Sequence, residues 1–272
     1  LFERGARQIR LTGFGEAFGL RVREILKAVD ELEDLARASR DRLVGRLRIG
    51  VIPTIAPYLL PAILNDLTRR YPGLDLQVRE TLTQHLIAEL ADGRLDLAIV
   101  ALPVSEPAFE EATLFSEEFL LVRPLDDPGS EPPTLEALRR MRLLLLEEGH
   151  CFRAQALSFC SMHSAAPRDA LDGSSLSTLV QMVGAGLGVT LIPEMAAPVE
   201  TRSAPVSIAR FDAPKPSRVV GMIWRKANPL TARFHEIADV VRRSARPISA
   251  PPASALGREA AIDRDRGSRD EV

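Results

Sequence analysis

Phe18, Val22, Ile25, Val29, Leu32, Ala36 and Leu43 follow one another at steps of 4, 3, 4, 3, 4 and 7 residues. A stripe with that near-3.5 period lies along one face of a helix and along no strand. Charged residues (Arg21, Glu24, Lys27, Asp30 and Asp34) surround it, and only Ser39 interrupts it. An amphipathic helix packed on its own domain satisfies the pattern. A helix paired with a second copy satisfies it better, because the seam runs for about 25 residues before any other domain signal. Thr12 is placed to cap the helix and Gly45 to close it.

The residues after this helix change period. Leu47, Ile49 and Val51 alternate as a strand, and Pro53 and Thr54 open a helix bearing Leu59, Leu60, Ile63, Leu64 and Leu67. Pro72-Gly73 turns the chain into a second strand at Leu74, Leu76 and Val78. A helix over 84–92 ends at Gly93, and 95–101 reads as a buried strand. Further strands fall at 119–122, 143–146, 189–192, 206–209 and 219–224. Helices fall near 134–140, after Gly149, at 176–183 and at 230–243. Such alternation implies a parallel sheet covered by helices, so the expected fold class is α/β in two lobes, with the last helix returning to the first lobe. From Arg246 the chain mixes Pro, Ala, Ser and alternating charge without a period, and disorder is expected there.

Composition removes several classes of function. Hydrophobic residues make up 46% and charged residues 26%, an ordinary globular mix. No apolar run approaches the roughly 20 residues of a membrane-spanning helix. No signal-peptide pattern opens the chain, so the cytoplasm is expected, although Leu1 stands in mid-motif without a preceding methionine. A formal net charge of −2 gives no global signature of nucleic-acid binding. Any DNA-facing charge is local, and Arg4, Arg7 and Arg10 in the first eleven residues are the candidates for phosphate contact.

The two cysteines carry the most chemistry. In Gly149-His150-Cys151-Phe152-Arg153, Gly149 marks a strand-to-helix turn, so Cys151 falls in a helix's first turn. Free backbone N–H groups and the positive end of the dipole favour a thiolate there. His150 and Arg153 add cationic or hydrogen-bonding partners. Cys160 lies nine residues on. If that stretch is one helix, the two thiols are about 13.5 Å apart along the axis and on opposite faces. A disulfide needs Cα atoms within about 7 Å, so forming one requires the helix to unwind. Three readings fit the spacing: two unrelated core thiols, a redox pair, or a zinc site drawing on His150, Cys151, Cys160 and His163 without the usual CxxC.

Other motifs say less. Gly184-Ala185-Gly186-Leu187-Gly188 follows a helix and precedes a strand, the reverse of a phosphate-binding loop, and reads as a helix-ending turn. Thr54 and Thr83 are possible helix caps, but both stand at carboxyl ends of strands, where open α/β sheets bind ligands. His85 and His235 read as surface residues. There is no G-x-S-x-G elbow to support a serine hydrolase.

Taken in order, these segments resemble the LysR-type transcription regulators. Leu1-Phe2-Glu3-Arg4 through Leu11-Thr12 looks like the wing that ends a winged helix-turn-helix, and the heptad helix looks like the dimerising linker. Gly50-Val51-Ile52-Pro53-Thr54, Leu95-Asp96-Leu97-Ala98-Ile99 and 186–193 resemble the two-lobed, periplasmic-binding-protein-like regulatory domain. The resemblance runs from Leu1 to about Arg243. Within the family, 53–61, Gly149-His150-Cys151-Phe152-Arg153 and Phe159-Cys160 are similar to the hydrogen-peroxide-sensing activators.

The resemblance implies a division into a winged-helix remnant over 1–12, a linker helix over 13–45, a regulatory domain over 46–245 and a tail over 246–272. Its lobes would be 46–117 with 221–245, and 118–220. It implies Cys151 as the cysteine that attacks peroxide and Cys160 as the resolving one. Thr54, Thr83, His150 and Arg153 would bind and polarise the peroxide. No metal, cofactor or enzymatic turnover is implied. The implied partners are further copies of the chain in a homodimer and homotetramer, promoter DNA and RNA polymerase, with thioredoxin or glutaredoxin as reductant. The helix that reads bases would precede Leu1, so residues 1–272 alone are expected to bind operator DNA weakly or not at all. Two departures from the pattern stand out: Gln84 where histidine often follows the threonine, and Ala154 where an acid commonly follows the arginine. A LysR-type sensor of an organic effector, a solute-binding protein and a thiol peroxidase are the alternatives; the last two have no use for the heptad helix.

Overall fold

The computed structural model describes residues 1–4, 8–38, 43–127, 133–159 and 172–245. In chain order the elements are β1 (Phe2–Arg4), β2 (Ile9–Leu11), α1 (Gly13–Ala38), β3 (Gly45–Val51), α2 (Ala56–Arg70), β4 (Leu74–Glu80), α3 (Thr83–Ala91), β5 (Leu97–Leu102) and β6 (Phe109–Pro124). They continue with α4 (Leu135–Arg140), β7 (Leu143–Leu146), α5 (Cys151–Phe159), β8 (Asp172–Gly173), α6 (Leu176–Gly184) and β9 (Val189–Pro193). After a 3-10 turn come α7 (Ala197–Glu200), β10 (Val206–Ala209), β11 (Ser217–Arg225) and α8 (Thr231–Ala245).

β1 and β2 pair antiparallel, Phe2 opposite Leu11 and Arg4 opposite Ile9. Thr12 caps α1 as expected, its Oγ1 accepting from the Gly15 N–H at 2.9 Å. Among the described residues the stripe on α1 is largely uncovered: Ile25, Val29 and Leu32 are each more than half exposed. Two expectations change here. Leu43 does not extend the stripe but is buried in the core of the following domain. Gly45 does not close the helix: α1 is described to Ala38, and Gly45, with φ +88°, opens β3 by donating to Gly73 O.

One continuous sheet runs in the order β4-β3-β5-β11-β6-β9-β7-β8, with β10 paired to β6. In the first lobe β4, β3 and β5 are parallel, as the strand–helix alternation requires, and β11 adds antiparallel to β5. In the second, β9, β7 and β8 are parallel and β6 is antiparallel to β9. Strand β6 belongs to both lobes. Its first half pairs with β11 and its second half with β9 and β10. Only 119–122 of it is legible from the sequence, because Glu110, Glu111, Glu117 and Glu118 obscure the alternation of Phe109, Ala112 and Leu114. Helix α8 returns to the first lobe against α2 and β6, burying Phe234 on Trp224. Burial of side chains this large contributes about 1.5–3 kcal/mol each, which fixes the sheet that frames the cleft between the lobes.

Candidate functional site

Helix α5 begins where the sequence places it. β7 ends at Leu146, Gly149 takes φ +95°, and Cys151 is the first helical residue. The positive φ suits glycine, and a Cβ there would stand 2.9 Å from Leu82 Cδ1. Cys151 is half-buried and free, in the first turn of α5, where the Arg153 N–H donates to His150 O at 3.1 Å.

The neighbours of Cys151 are held firmly. Phe152 is buried edge-on to Phe119, centroids 4.8 Å apart, and the Arg218 guanidinium carbon lies 5.6 Å from the Phe152 ring centroid. Arg153 Nη1 donates to Leu146 O at 2.6 Å and to Asp172 Oδ1 at 2.7 Å, tying α5 to β7 and β8. His150 is partly buried, and burial lowers its pKa below the ordinary histidine value, the Glu147 carboxylate working weakly the other way. Around neutral pH it is therefore a neutral hydrogen-bonding group rather than a cation.

Across from α5 stands Thr54, 3% exposed, in the turn between β3 and α2. It is no helix cap: Ile55 occupies that position, and no side chain caps α2. Thr54 Oγ1 accepts from Arg218 Nη1 at 2.8 Å, and Thr54 O accepts from Arg218 Nη2 at 3.0 Å. Arg218 is in turn paired with Glu117, Nε donating to Oε1 at 2.7 Å, and Glu117 Oε2 accepts the Met195 N–H at 3.2 Å. This ion pair is essentially inaccessible to solvent. It sits on the two strands, β6 and β11, that join the lobes.

A cleft of about 370 Å³ opens between the lobes, with Thr54, Tyr58 and Glu80 on one side and Leu146, His150 and Glu200 on the other. Of the expected peroxide ligands, Thr54 and His150 face this one space. Arg153 and Thr83 do not line it. Arg153 is engaged by Asp172, and Thr83 is the first residue of α3 behind its cap, Leu82, with its Oγ1 buried and unpartnered. Gln84 is exposed, and His85, one place later, is hydrogen-bonded through Nδ1 to Thr81 Oγ1 at 3.3 Å. Ala154 is exposed. Cys160 and His163 lie outside the described residues, and with them the second half of the cysteine pair and of the imagined zinc set. Among the described residues no group of three or more His, Cys, Asp or Glu is placed to hold a metal.

Nothing local in the sequence points to Arg218, Glu117, Tyr58 or Glu200. Arg218 is the second residue of β11 and Glu117 lies midway along β6, among the glutamates that obscure that strand, and only the pairing of β6 with β11 makes them partners.

Arg4 and Arg10 lie on the exposed β1–β2 pair, but the register pairs Arg4 with Ile9 and Arg10 with Glu3, which puts the two arginines on opposite faces. Arg7 lies outside the described residues. No described helix is long and apolar enough to cross a membrane.

A two-lobed sheet crossed by β6 and β11, with a cleft at the strand ends, defines a class of ligand-sensing regulatory domain. Residues 40–246 match the family model for the LysR substrate binding domain, and the chain belongs to the LysR family of transcription regulators, which are not enzymes. It is 42% identical over 252 residues to a probable hydrogen peroxide-inducible genes activator of Streptomyces viridosporus, covering 91% of this chain and 81% of that one. It is 36% identical over 244 residues to the DNA-binding transcriptional dual regulator OxyR of Escherichia coli, covering 89% and 80%. A hydrogen-peroxide-bound mutant of Corynebacterium glutamicum OxyR superposes with a TM-score of 0.75 at 32% identity, covering 96% and 82%.

Proposed function

We propose that this chain senses hydrogen peroxide by forming a Cys151–Cys160 disulfide and passes that state to promoter DNA. The observation that carries the reading is the position of Cys151, at the N-terminus of α5 beside a cleft into which Thr54 and His150 face. The Cys151 thiolate attacks one peroxide oxygen, the O–O bond breaks, and hydroxide leaves to be protonated to water. The sulfenic acid then condenses with the Cys160 thiol, giving the disulfide and a second water. Thr54 accepts from Arg218, so its own hydroxyl hydrogen is left to donate to the departing oxygen. His150 supplies a neutral partner; Arg153 and Thr83 complete the shell as α5 moves. A dithiol reductant of the thioredoxin or glutaredoxin type reverses the reaction.

The same reading assigns 1–12 to the end of a winged-helix domain, 13–45 to the linker and 46–245 to the sensing domain. The lobes are 46–117 with 221–245, and 118–220. The exposed stripe of α1 supports a dimer seam. Disulfide formation unwinds α5, alters how dimers pack into a tetramer, and so changes how Arg4, Arg7 and Arg10 meet DNA phosphates and how RNA polymerase is engaged. The test is the Cys151→Ser variant: peroxide is expected to leave its tetramer geometry unchanged while shifting that of the wild type. An equal shift in both would refute the mechanism.

A second reading, a LysR-type sensor of a small organic effector, draws on the cleft volume of about 370 Å³, more than peroxide needs. Thiols that ignore peroxide would favour it.

A further inference from the structure

We propose that Glu200 makes the cleft selective for uncharged oxidants, turning anionic ones away before they reach Cys151. The inference rests on the reading of Cys151 as the reacting thiol and adds to it what the cleft admits.

Glu200 ends α7 and is 9% exposed, yet it lines the cleft. Its Oε1 accepts from the Tyr58 hydroxyl of the opposite lobe at 2.6 Å, and its Oε2 accepts from Ser177 Oγ at 2.6 Å. Burial and the adjoining carboxylate hold the Tyr58 phenol far above its usual range, so it stays a donor at any physiological pH.

Ser177 is the second residue of α6, whose first turn is capped by Ser175 accepting from the Thr178 N–H. A helix N-terminus ordinarily attracts anions. Here a carboxylate of the protein already sits against that turn, so an incoming anion meets an occupied seat. The other charged residue on the cleft wall is Glu80, and no lysine or arginine lines it among the described residues. Two buried or largely buried cations near it are matched by carboxylates, Arg218 by Glu117 and Arg153 by Asp172. In a partly desolvated space a like charge repels more strongly than in water. Hydrogen peroxide meets only donors and acceptors.

Two alkylating agents of nearly equal size and the same chemistry, neutral iodoacetamide and anionic iodoacetate, read this directly. The rate of each at Cys151 in the reduced full chain is measured by peptide mass spectrometry and expressed as a ratio. In the wild type the preference for iodoacetamide is expected to exceed that of the urea-unfolded chain. Glu200→Gln, which keeps an acceptor for Tyr58, is expected to lower the folded ratio about three- to tenfold, the effect of removing one partly shielded like charge. Tyr58→Phe, which keeps the charge and loses the tie, is expected to stay within about twofold of wild type. A wild-type ratio equal to that of the unfolded chain overturns the proposal without any variant. So does a Glu200→Gln ratio equal to wild type, or a Tyr58→Phe ratio that falls as far as that of Glu200→Gln. No peroxide enters the measurement, so failure of the peroxide reading would show separately, as thiols that survive a peroxide pulse.

Discussion

Two strand-to-helix junctions border the cleft, and they are built in opposite ways. The β3–α2 junction holds Thr54 almost fully buried, with its hydroxyl and its carbonyl both gripped by Arg218. The β7–α5 junction turns on Gly149 and leaves Cys151 half-buried and free. One wall is a fixed donor anchored to the strands that join the lobes. The other, which meets the cleft at Leu146 and His150, carries the free Cys151 thiol beside it on a short helix held by Phe152 and Arg153. The proposed thiol switch would use that inequality: peroxide would be positioned by something that stays still, while the attacking cysteine would be able to leave once oxidised.

Breaking the fixed wall carries the largest expected effect. Arg218→Met would leave Glu117 as an uncompensated buried charge, and about 3–5 kcal/mol of stability is expected to be lost, read from urea denaturation midpoints. Replacing both partners with apolar residues should recover most of that loss. A cost under about 1 kcal/mol for the single variant would mean the junction is not anchored through this pair.

Loosening the movable wall should cost far less. Arg153→Gln removes a partly exposed ion pair with Asp172 and is expected to lower global stability by about 1 kcal/mol. Its clearer signature is faster amide exchange confined to α5, with the first turn of α2 unchanged. Equal acceleration at both junctions would erase the contrast between them.

The smallest effect concerns pH. Burial lowers the folded-state pKa of His150 below its unfolded value, so the unfolded chain binds the extra proton first. The stability this group contributes is therefore present above the unfolded pKa of about 6.5 and is lost as pH falls below it. His150→Asn is expected to flatten the stability profile in that acid range relative to wild type. Identical profiles would place His150 in solvent.

Much of the fold and the reactive turn is legible in the chain. Periods of 3.5 and 2 locate α1 and most of the sheet, and Gly149 followed by Cys151 locates the turn that carries the thiol. What escapes are features that exist only across strands. Leu43 reads as a seventh-residue step of the stripe, but its side chain enters the sheet's core instead. The first half of β6 is hidden by four glutamates, one of which, Glu117, is buried against Arg218 from a strand about a hundred residues away. Tyr58 and Glu200 likewise meet across the cleft, at a sequence separation of 142, with no local signal. Periodicity reports which face of an element is apolar; it does not report which polar residue will find a buried partner on another element.

The central claim is that a helix-held thiol pairs with Cys160 when peroxide arrives. Thiol counting by mass spectrometry, with alkylation before and after a stoichiometric pulse of hydrogen peroxide, tests it most directly. The expected result is the loss of both alkylatable thiols together with a Cys151–Cys160 crosslinked peptide that a dithiol reverses. Two thiols still free after the pulse would contradict the account and leave a LysR-type regulator whose cleft answers to a different molecule.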